Sequence, residues 1–298
     1  MRYKNEWLTV FSLALITGCG SSGENQDKGQ TDNVEKPAEI VVSTTKLEAD
    51  GPDTGLNAYQ LIIDKFGPGS IESPDLYESD HQTDTHIIEQ TDDIVGPHFV
   101  FKMHKEQDGN KGEYIDRQRN EIKIFDRSDN ALKGFEGETF EYAWLFKVDS
   151  QLELSKNFSH FFQLKAVGGD SSHPILTLTG VEKSGKNTLQ IRYSPYVSDQ
   201  ILVAKDWLEF TDKWLSVTCR VTYGEFGQLT FEIKDYLDDS VLLSVNRTNL
   251  DLWRGTKNSD FVRPKWGIYR SLSNSESLRE DEETVRFANF SITELVIE

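Results

Sequence analysis

The chain has 298 residues, of which 50 are acidic and 32 basic, for a formal net charge of −18. That balance keeps the surface soluble and repels nucleic acid and anionic lipid headgroups, so neither is expected as a partner. An anionic ligand would require basic side chains to be gathered locally, against the charge of the whole.

The chain opens with Arg2 and Lys4, an apolar run from Trp7 to Ile16, and then Thr17, Gly18 and Cys19. This is the layout of an export signal. The run is shorter than the roughly 20 residues that span a bilayer, which argues against a transmembrane helix. Leu15-Ile16-Thr17-Gly18-Cys19 resembles a bacterial lipobox. That resemblance implies removal of residues 1–18 and a lipid on Cys19. Gly20 stands where an Asp would favour inner-membrane retention in many bacteria, so the outer membrane is expected, on its periplasmic or cell-surface face. Residues 19–45 follow as a tether, because from Ser21 to about Val42 the chain is too polar to bury a core. Residues 46–298 are expected to form one domain, since no linker divides them and all-β domains commonly reach this size. With Cys219 the only cysteine beyond the anchor, no intramolecular disulfide can brace that domain.

Within the domain, Gly55 to Lys65 carries Leu56, Tyr59, Leu61, Ile62 and Ile63, a spacing that suits a short helix or a strand. From residue 98 onward, runs of Phe, Tyr, Trp, Val, Ile and Thr alternate with turn-forming Gly, Asn, Asp and Ser. The predicted strands are His98 to His104, Arg117 to Phe125, Phe140 to Val148, His160 to Val167, Ile175 to Thr179 and Thr188 to Tyr193. They continue with Trp214 to Tyr223, Leu229 to Lys234, Val241 to Val245, Lys265 to Arg270 and Val285 to Ile297. About a dozen strands make an all-β sandwich of two packed antiparallel sheets. No internal repeat is visible.

Successive residues of a strand face opposite ways, and three of these strands have one polar side. Arg117, Arg119, Glu121 and Lys123 share a side against Ile122 and Ile124; Gln163 and Lys165 share one with Phe161, against Phe162, Leu164 and Ala166; Lys265, Gly267 and Tyr269 align with Trp266 and Ile268 behind them. A single such strand reads as an ordinary solvent face. Three with Arg, Lys, Gln and Tyr, in an acidic chain, read as a basic sheet face.

Arg119-Asn120-Glu121-Ile122-Lys123, Gln163-Leu164-Lys165 and Lys265-Trp266-Gly267-Ile268-Tyr269 resemble, in order, the Arg-x-Glu-x-Arg, Gln-x-His and Lys-x-Gly-x-Tyr strand motifs of jelly-roll alginate lyases. The settings Asp116 to Lys123 and Arg263 to Arg270 are similar to the glucuronan-lyase and heparin-lyase-I-like branch. The resemblance covers roughly residues 55 to 298. It implies a β-jelly roll with a concave groove and a polysaccharide lyase that removes the C5 proton of a uronate, expels the 4-linked sugar and leaves an unsaturated uronate end. Glucuronan or ulvan-type glucuronate is favoured as substrate, with alginate next. No cofactor is required.

Such chemistry needs hydrogen-bond donors where negative charge develops on the uronate carboxylate. Arg119 and Gln163 are expected there, because the guanidinium fork matches a carboxylate. By the same resemblance Tyr269 is the acid that protonates the leaving oxygen and a candidate for the base, with Lys265 and Arg119 the cations beside it. Lys165 departs from the alginate pattern, which has His there. It is a second candidate base or a carboxylate binder. His160 would lie one face over from Gln163 in a regular strand, which reads as a buried hydrogen-bonded His. Yet Phe158-Ser159-His160-Phe161-Phe162-Gln163 is similar to the heparin-lyase-like branch, where a His is the base. The base therefore stands open between Tyr269, Lys165 and His160, with His104 a weaker alternative.

Arg117, Arg192, Tyr193, Arg270, Lys123, Lys265 and Glu121 are candidate substrate contacts. His81, His86, His98 and His173 sit in polar or turn settings without metal-ligand spacing. Asp108-Gly109-Asn110-Lys111-Gly112 has part of a calcium-loop pattern, which a hairpin turn also explains, so a structural calcium ion keeps a place. A monomer is expected. Two rivals remain. A glycoside hydrolase would need two carboxylates about 5–9 Å apart, and Glu121 supplies only one. A non-catalytic glycan-capturing lipoprotein would use Trp144, Trp207, Trp253 and Trp266 as platforms.

Overall fold

Alternation of apolar and polar residues along the chain is met by strands that bury every second side chain. In Leu215–Thr222, for example, Leu215, Val217, Cys219 and Val221 are buried and the residues between them half-exposed. The computed structural model describes residues 38–196 and 198–298. The signal segment and Cys19 lie outside the described residues.

The elements in chain order are β1 (Glu39–Leu47), α1 (Ala58–Phe66), β2 (Ile71–Glu72), β3 (Ile87–Asp92), β4 (Gly96–Met103), β5 (Arg117–Lys123), β6 (Thr139–Val148), β7 (Ser159–Val167), β8 (Leu176–Lys183), β9 (Lys186–Tyr193), β10 (Gln200–Asp206), β11 (Leu215–Thr222), β12 (Gly227–Asp235), β13 (Val241–Leu250), β14 (Phe261–Ser271) and β15 (Glu283–Ile297). One sheet runs β13-β12-β11-β6-β15-β4-β3, with β1 pairing β15; the other runs β10-β9-β8-β7-β14-β5-β2. All pairings are antiparallel. The eleven predicted strands are all present. Four more were not anticipated. β1 takes Glu39–Leu47 into the sheet, so the fold reaches into the stretch expected to be tether, where β-branched Ile40, Val41 and Val42 favour an extended chain. β2 has two residues and β10 is an edge strand with no buried residue, so neither carries an alternating pattern.

The Gly55–Lys65 segment resolves to the helix. Asn57 caps α1 by accepting from the Gln60 N–H at 3.0 Å, while the Gln60 side chain accepts from the Asn57 N–H at 3.2 Å. Its buried face, Ala58, Ile62 and Phe66, recurs every four residues, and Phe66 stacks on Trp266 at 6.0 Å between ring centroids.

The core between the sheets is aromatic. Trp144, Phe162 and Trp266 meet with centroids 4.6–6.0 Å apart, and all three are essentially inaccessible. Trp266 thus lies behind the basic sheet face, as its register predicts.

Three neighbouring strands cover the same stretch of that face with different numbers of residues. In the register of β14 with β7, Lys265 faces Gln163 and Tyr269 faces His160; in that of β7 with β8, Gln163 faces Thr177 and His160 faces Thr179. The same span takes four residue steps on β14, three on β7 and two on β8. Phe161 is the extra residue of a β-bulge relative to β8, and it turns into the core against Phe146 and Trp207. On β14 the matching irregularity sits at Gly267, whose φ is +139° and where a Cβ would stand 2.1 Å from the Asn120 carbonyl oxygen. Only glycine fits that close approach.

Candidate active site

The basic face forms a groove of about 350 Å³. Of the residues expected there, Arg117 and Arg119 (β5), His160, Gln163 and Lys165 (β7), Arg192 (β9) and Tyr269 (β14) line it. The bulge corrects one expectation. A regular strand would put Phe161 with Gln163 and His160 opposite; instead Phe161 is in the core, and Phe158 and His160 join Gln163 and Lys165 in the groove.

Tyr269 is fixed on all sides. The Arg117 guanidinium donates to its hydroxyl at 3.0 Å, the Arg119 guanidinium lies over its ring at 3.8 Å, and Phe158 and His160 pack at 5.1 and 6.0 Å. The Tyr269 oxygen accepts in that bond, so its O–H is not used in it and can point to a third group. His160 stacks on Phe158 at 4.6 Å, and its Nδ1 lies 2.8 Å from Thr179 Oγ1, itself 2.7 Å from Thr177 Oγ1. When Nδ1–H donates to Thr179 and Thr179 to Thr177, Nε2 is left as a free base. Burial holds His160 well below the usual imidazole range, and Arg192, Arg119, Lys265 and Lys165 push the same way. Burial and then Lys265 and Arg119 also push Lys165 down to about 8; among the described residues its one hydrogen-bond contact is the Ser172 carbonyl at 3.5 Å.

Beneath the groove floor lies a buried ionic cluster that corrects three more expectations. Glu121, Lys123 and Lys265 share the polar side as predicted, but they are 1%, 5% and 2% exposed and absent from the groove lining, so they do not touch a ligand there. Lys265 Nζ is 2.7 Å from Glu72 and 2.6 Å from Glu121; Lys123 is 2.6 Å from Glu72, and Lys111 and Arg119 close the network. Burial opposes ionisation of Glu72 and Glu121, but Lys265 and Arg119 outweigh it and hold both carboxyls below their usual range. Four cations around two carboxylates leave a positive excess under the groove. Its Arg119 and Lys265 add to the effect of burial and Arg192 on His160, and the excess explains a basic face on an acidic chain.

Arg119 is partly committed: its Nε donates to Asn110 Oδ1 at 2.7 Å and one Nη to Glu121, leaving the other Nη to the groove. Gln163 likewise donates one amide hydrogen to Glu121 and retains the second. Two expected contacts are elsewhere. Arg270 has the opposite parity to Tyr269 and is fully buried, bonded to Gln118 at 2.9 Å and to Glu283. Tyr193 is buried with its hydroxyl on the Asp251 backbone.

Sequence reasoning missed Glu72, Asn110, Lys111, Thr177, Thr179 and the groove residues Phe158, Ser172, His173, Ser194 and Asp199. Glu72 sits on a two-residue strand and Asn110 and Lys111 in a loop, where no periodicity marks them. The histidines need a further correction. His81, His86 and His104 converge with Asp108 away from the groove lining, so His104 is not placed as a base.

The rivals lose their residues. Asp199 is the only carboxylate lining the groove among the described residues, and Glu121 is held in the ionic cluster, so the pair needed for hydrolysis is missing. Trp144, Trp207, Trp253 and Trp266 are all buried and offer no platform.

No protein-family model matches the chain, and no curated protein matches it in sequence. Solved structures do. The marine PL-14 alginate lyase from Aplysia kurodai superposes with a TM-score of 0.54 at 13% identity, over 87% of this chain and 100% of that one. Alginate lyase Aly36B gives 0.54 at 12%, over 85% and 97%. A doubly substituted mutant of Aly36B in complex with alginate trisaccharide gives 0.53 at 9%, over 85% and 98%. At such identities the likeness speaks for the fold, and it agrees with the two antiparallel sheets described above: the chain has the β-jelly-roll fold of these polysaccharide lyases.

Proposed function

We propose that this protein is a polysaccharide lyase that cleaves a uronate-containing anionic polymer by β-elimination in the groove, with glucuronan or ulvan-type glucuronate the favoured substrate and alginate next. The observation that carries the reading is Tyr269, held between Arg117 and Arg119 and paired across the strands with an unprotonated His160. The free Nη of Arg119 and the second amide hydrogen of Gln163 neutralise the uronate carboxylate as charge develops on it. His160 Nε2 takes the C5 proton. The Tyr269 hydroxyl, its oxygen already accepting from Arg117, gives its proton to the leaving oxygen at C4. Lys165 and Arg192 bind neighbouring carboxylates. The jelly-roll fold shared with alginate lyases supports this assignment.

Incubation with glucuronan, ulvan, alginate and heparin, followed by ultraviolet absorbance of the unsaturated product, tests it. A rise on at least one polymer is expected, and silence on all of them would sink the lyase reading. Tyr269→Phe should lower kcat by about 10²–10⁴-fold, the usual worth of a positioned proton donor. Activity that survives the change would remove the acid assignment and leave the reaction class intact.

We further propose that Cys19 carries a lipid anchor that holds the protein at the outer membrane as a monomer. Cys19→Ser should then move the protein from the membrane to the soluble fraction.

A further inference from the structure

We propose that His81, His86, His104 and Asp108 form a binding site for one divalent transition-metal ion of the zinc class, which staples the loop that positions Arg119. The four residues come from three places: His81 and His86 precede or begin the approach to β3, His104 follows β4, and Asp108 lies in the loop before β5. His81 Nδ1 and His86 Nε2 each lie 2.9 Å from Asp108 Oδ1, His104 Nδ1 lies 3.3 Å from His86 Nε2 and 3.4 Å from Asp108 Oδ2, and all four ligand atoms fall within 4.8 Å of one another. A tetrahedral ion with bonds of about 2.0–2.1 Å has ligand–ligand edges of about 3.3–3.4 Å. The four separations of 2.9–3.4 Å are close to that edge, and the remaining pairs stay within 4.8 Å.

The rings agree with the distances. The three imidazoles stand nearly perpendicular to one another, at 82°, 84° and 89°, and each brings one ring nitrogen within 4.8 Å of the others. Their side chains are 0–15% exposed and Asp108 is wholly buried. The outward nitrogens are held as metal-bound histidines require. His86 Nδ1 donates to the Asp84 carbonyl at 2.7 Å, which presents Nε2 inward, and His104 Nε2 lies 3.1 Å from Glu282. Three nitrogen donors and one carboxylate suit zinc or cobalt and disfavour calcium, which takes oxygen ligands.

The site sits at the root of the loop that serves the groove. From the same loop, the Gly109 carbonyl accepts from the Arg119 N–H at 2.9 Å, Asn110 Oδ1 accepts from Arg119 Nε at 2.7 Å, and Lys111 joins Glu72. Gln118 donates to the carbonyls of His104, Lys105 and Asp108, tying β5 to the same loop. An ion joining His104 and Asp108 to His81 and His86 orders this segment. Its role is positioning, with no part in the reaction itself.

The test is titration of the chelator-treated full chain with Co²⁺ and with Zn²⁺. One equivalent of Co²⁺ should bind with the intense visible bands of a tetrahedral site, Zn²⁺ should displace it and raise Tm, and excess Ca²⁺ should do neither. His81→Ala, in the half-buried loop before β3, and His104→Gln should each abolish stoichiometric binding, with circular dichroism showing that the variants are folded. Absence of saturable Co²⁺ and Zn²⁺ binding to the folded protein would overturn the proposal and make the four residues a histidine–carboxylate ion cluster. Undiminished binding in both variants would overturn it by placing the ion elsewhere. Because the readout is metal binding, the outcome is independent of whether any polymer is cleaved.

Discussion

His160 and Lys165 differ in the state the protein gives them, and this separates two bases that the sequence leaves open. Lys165 is pushed down to about 8, so as a base it works only in the fraction that is neutral, and kcat/KM would climb as pH rises through about 8. His160 is held well below 6.5 and is already neutral at pH 7, so with His160 as base the profile stays flat from pH 7 to 9. The flat profile is expected, and a tenfold rise per pH unit up to about 8 would give the role to Lys165. The residue types were legible in the sequence, as was the shared side of Arg119, Gln163, Lys165 and Tyr269. The electrostatic state of His160 and Lys165 was not, because it depends on burial and on Arg192, Arg119 and Lys265, which the fold brings together from three other strands.

At the scale of elements, the groove depends on how β14, β7 and β8 run out of step. Deleting Phe161 makes β7 regular, and the period-two rule then keeps Phe158 and His160 on the groove side, opposite Phe162, while the core loses the ring packed on Phe146 and Trp207. The folded variant should therefore keep measurable activity, and loss of about 10²-fold, the lower end of a general base's worth, would show that His160 had left the groove. It should also unfold at lower denaturant. Gly267→Ala places a Cβ 2.1 Å from the Asn120 carbonyl oxygen in a backbone conformation that favours glycine, and should cost about 1–3 kcal/mol or more by urea unfolding. An unchanged midpoint would show that β14 and β5 separate easily at this point. Strand positions were readable from alternation, and all eleven predicted strands formed. The bulge was not, since one extra residue in Phe161-Phe162 leaves an apolar pair that fits either register. Arg270 and Tyr193 failed as groove residues for a related reason: parity on β14 and β9 turns them inward, and polar side chains buried with partners look in sequence like exposed ones.

For the whole molecule, a chain of net charge −18 presents a groove with Arg117, Arg119, Lys165 and Arg192 against Asp199 alone among the described carboxylates. The local field attracts a polyanion while the global charge repels it, and salt screens both. The groove contacts are short-range and multiple, so counterion release dominates. KM for the polymer should rise roughly tenfold or more between low and moderately high salt, with kcat little changed. A KM indifferent to salt would argue that the groove reads shape or neutral sugar contacts instead.

The sequence by itself determined the two-sheet sandwich, the aromatic core and the gathering of Arg, Gln, Lys and Tyr on one sheet face, because period-two alternation is a local property that survives any arrangement of the strands. Only the tertiary structure decided which of those residues line the groove and which lie beneath it, that His160 joins Tyr269, and that His81, His86 and His104 meet Asp108. Those outcomes rest on a bulge, a two-residue strand and loop closures. Contacts of that kind join residues far apart in the chain, and no repeating pattern in the sequence records them.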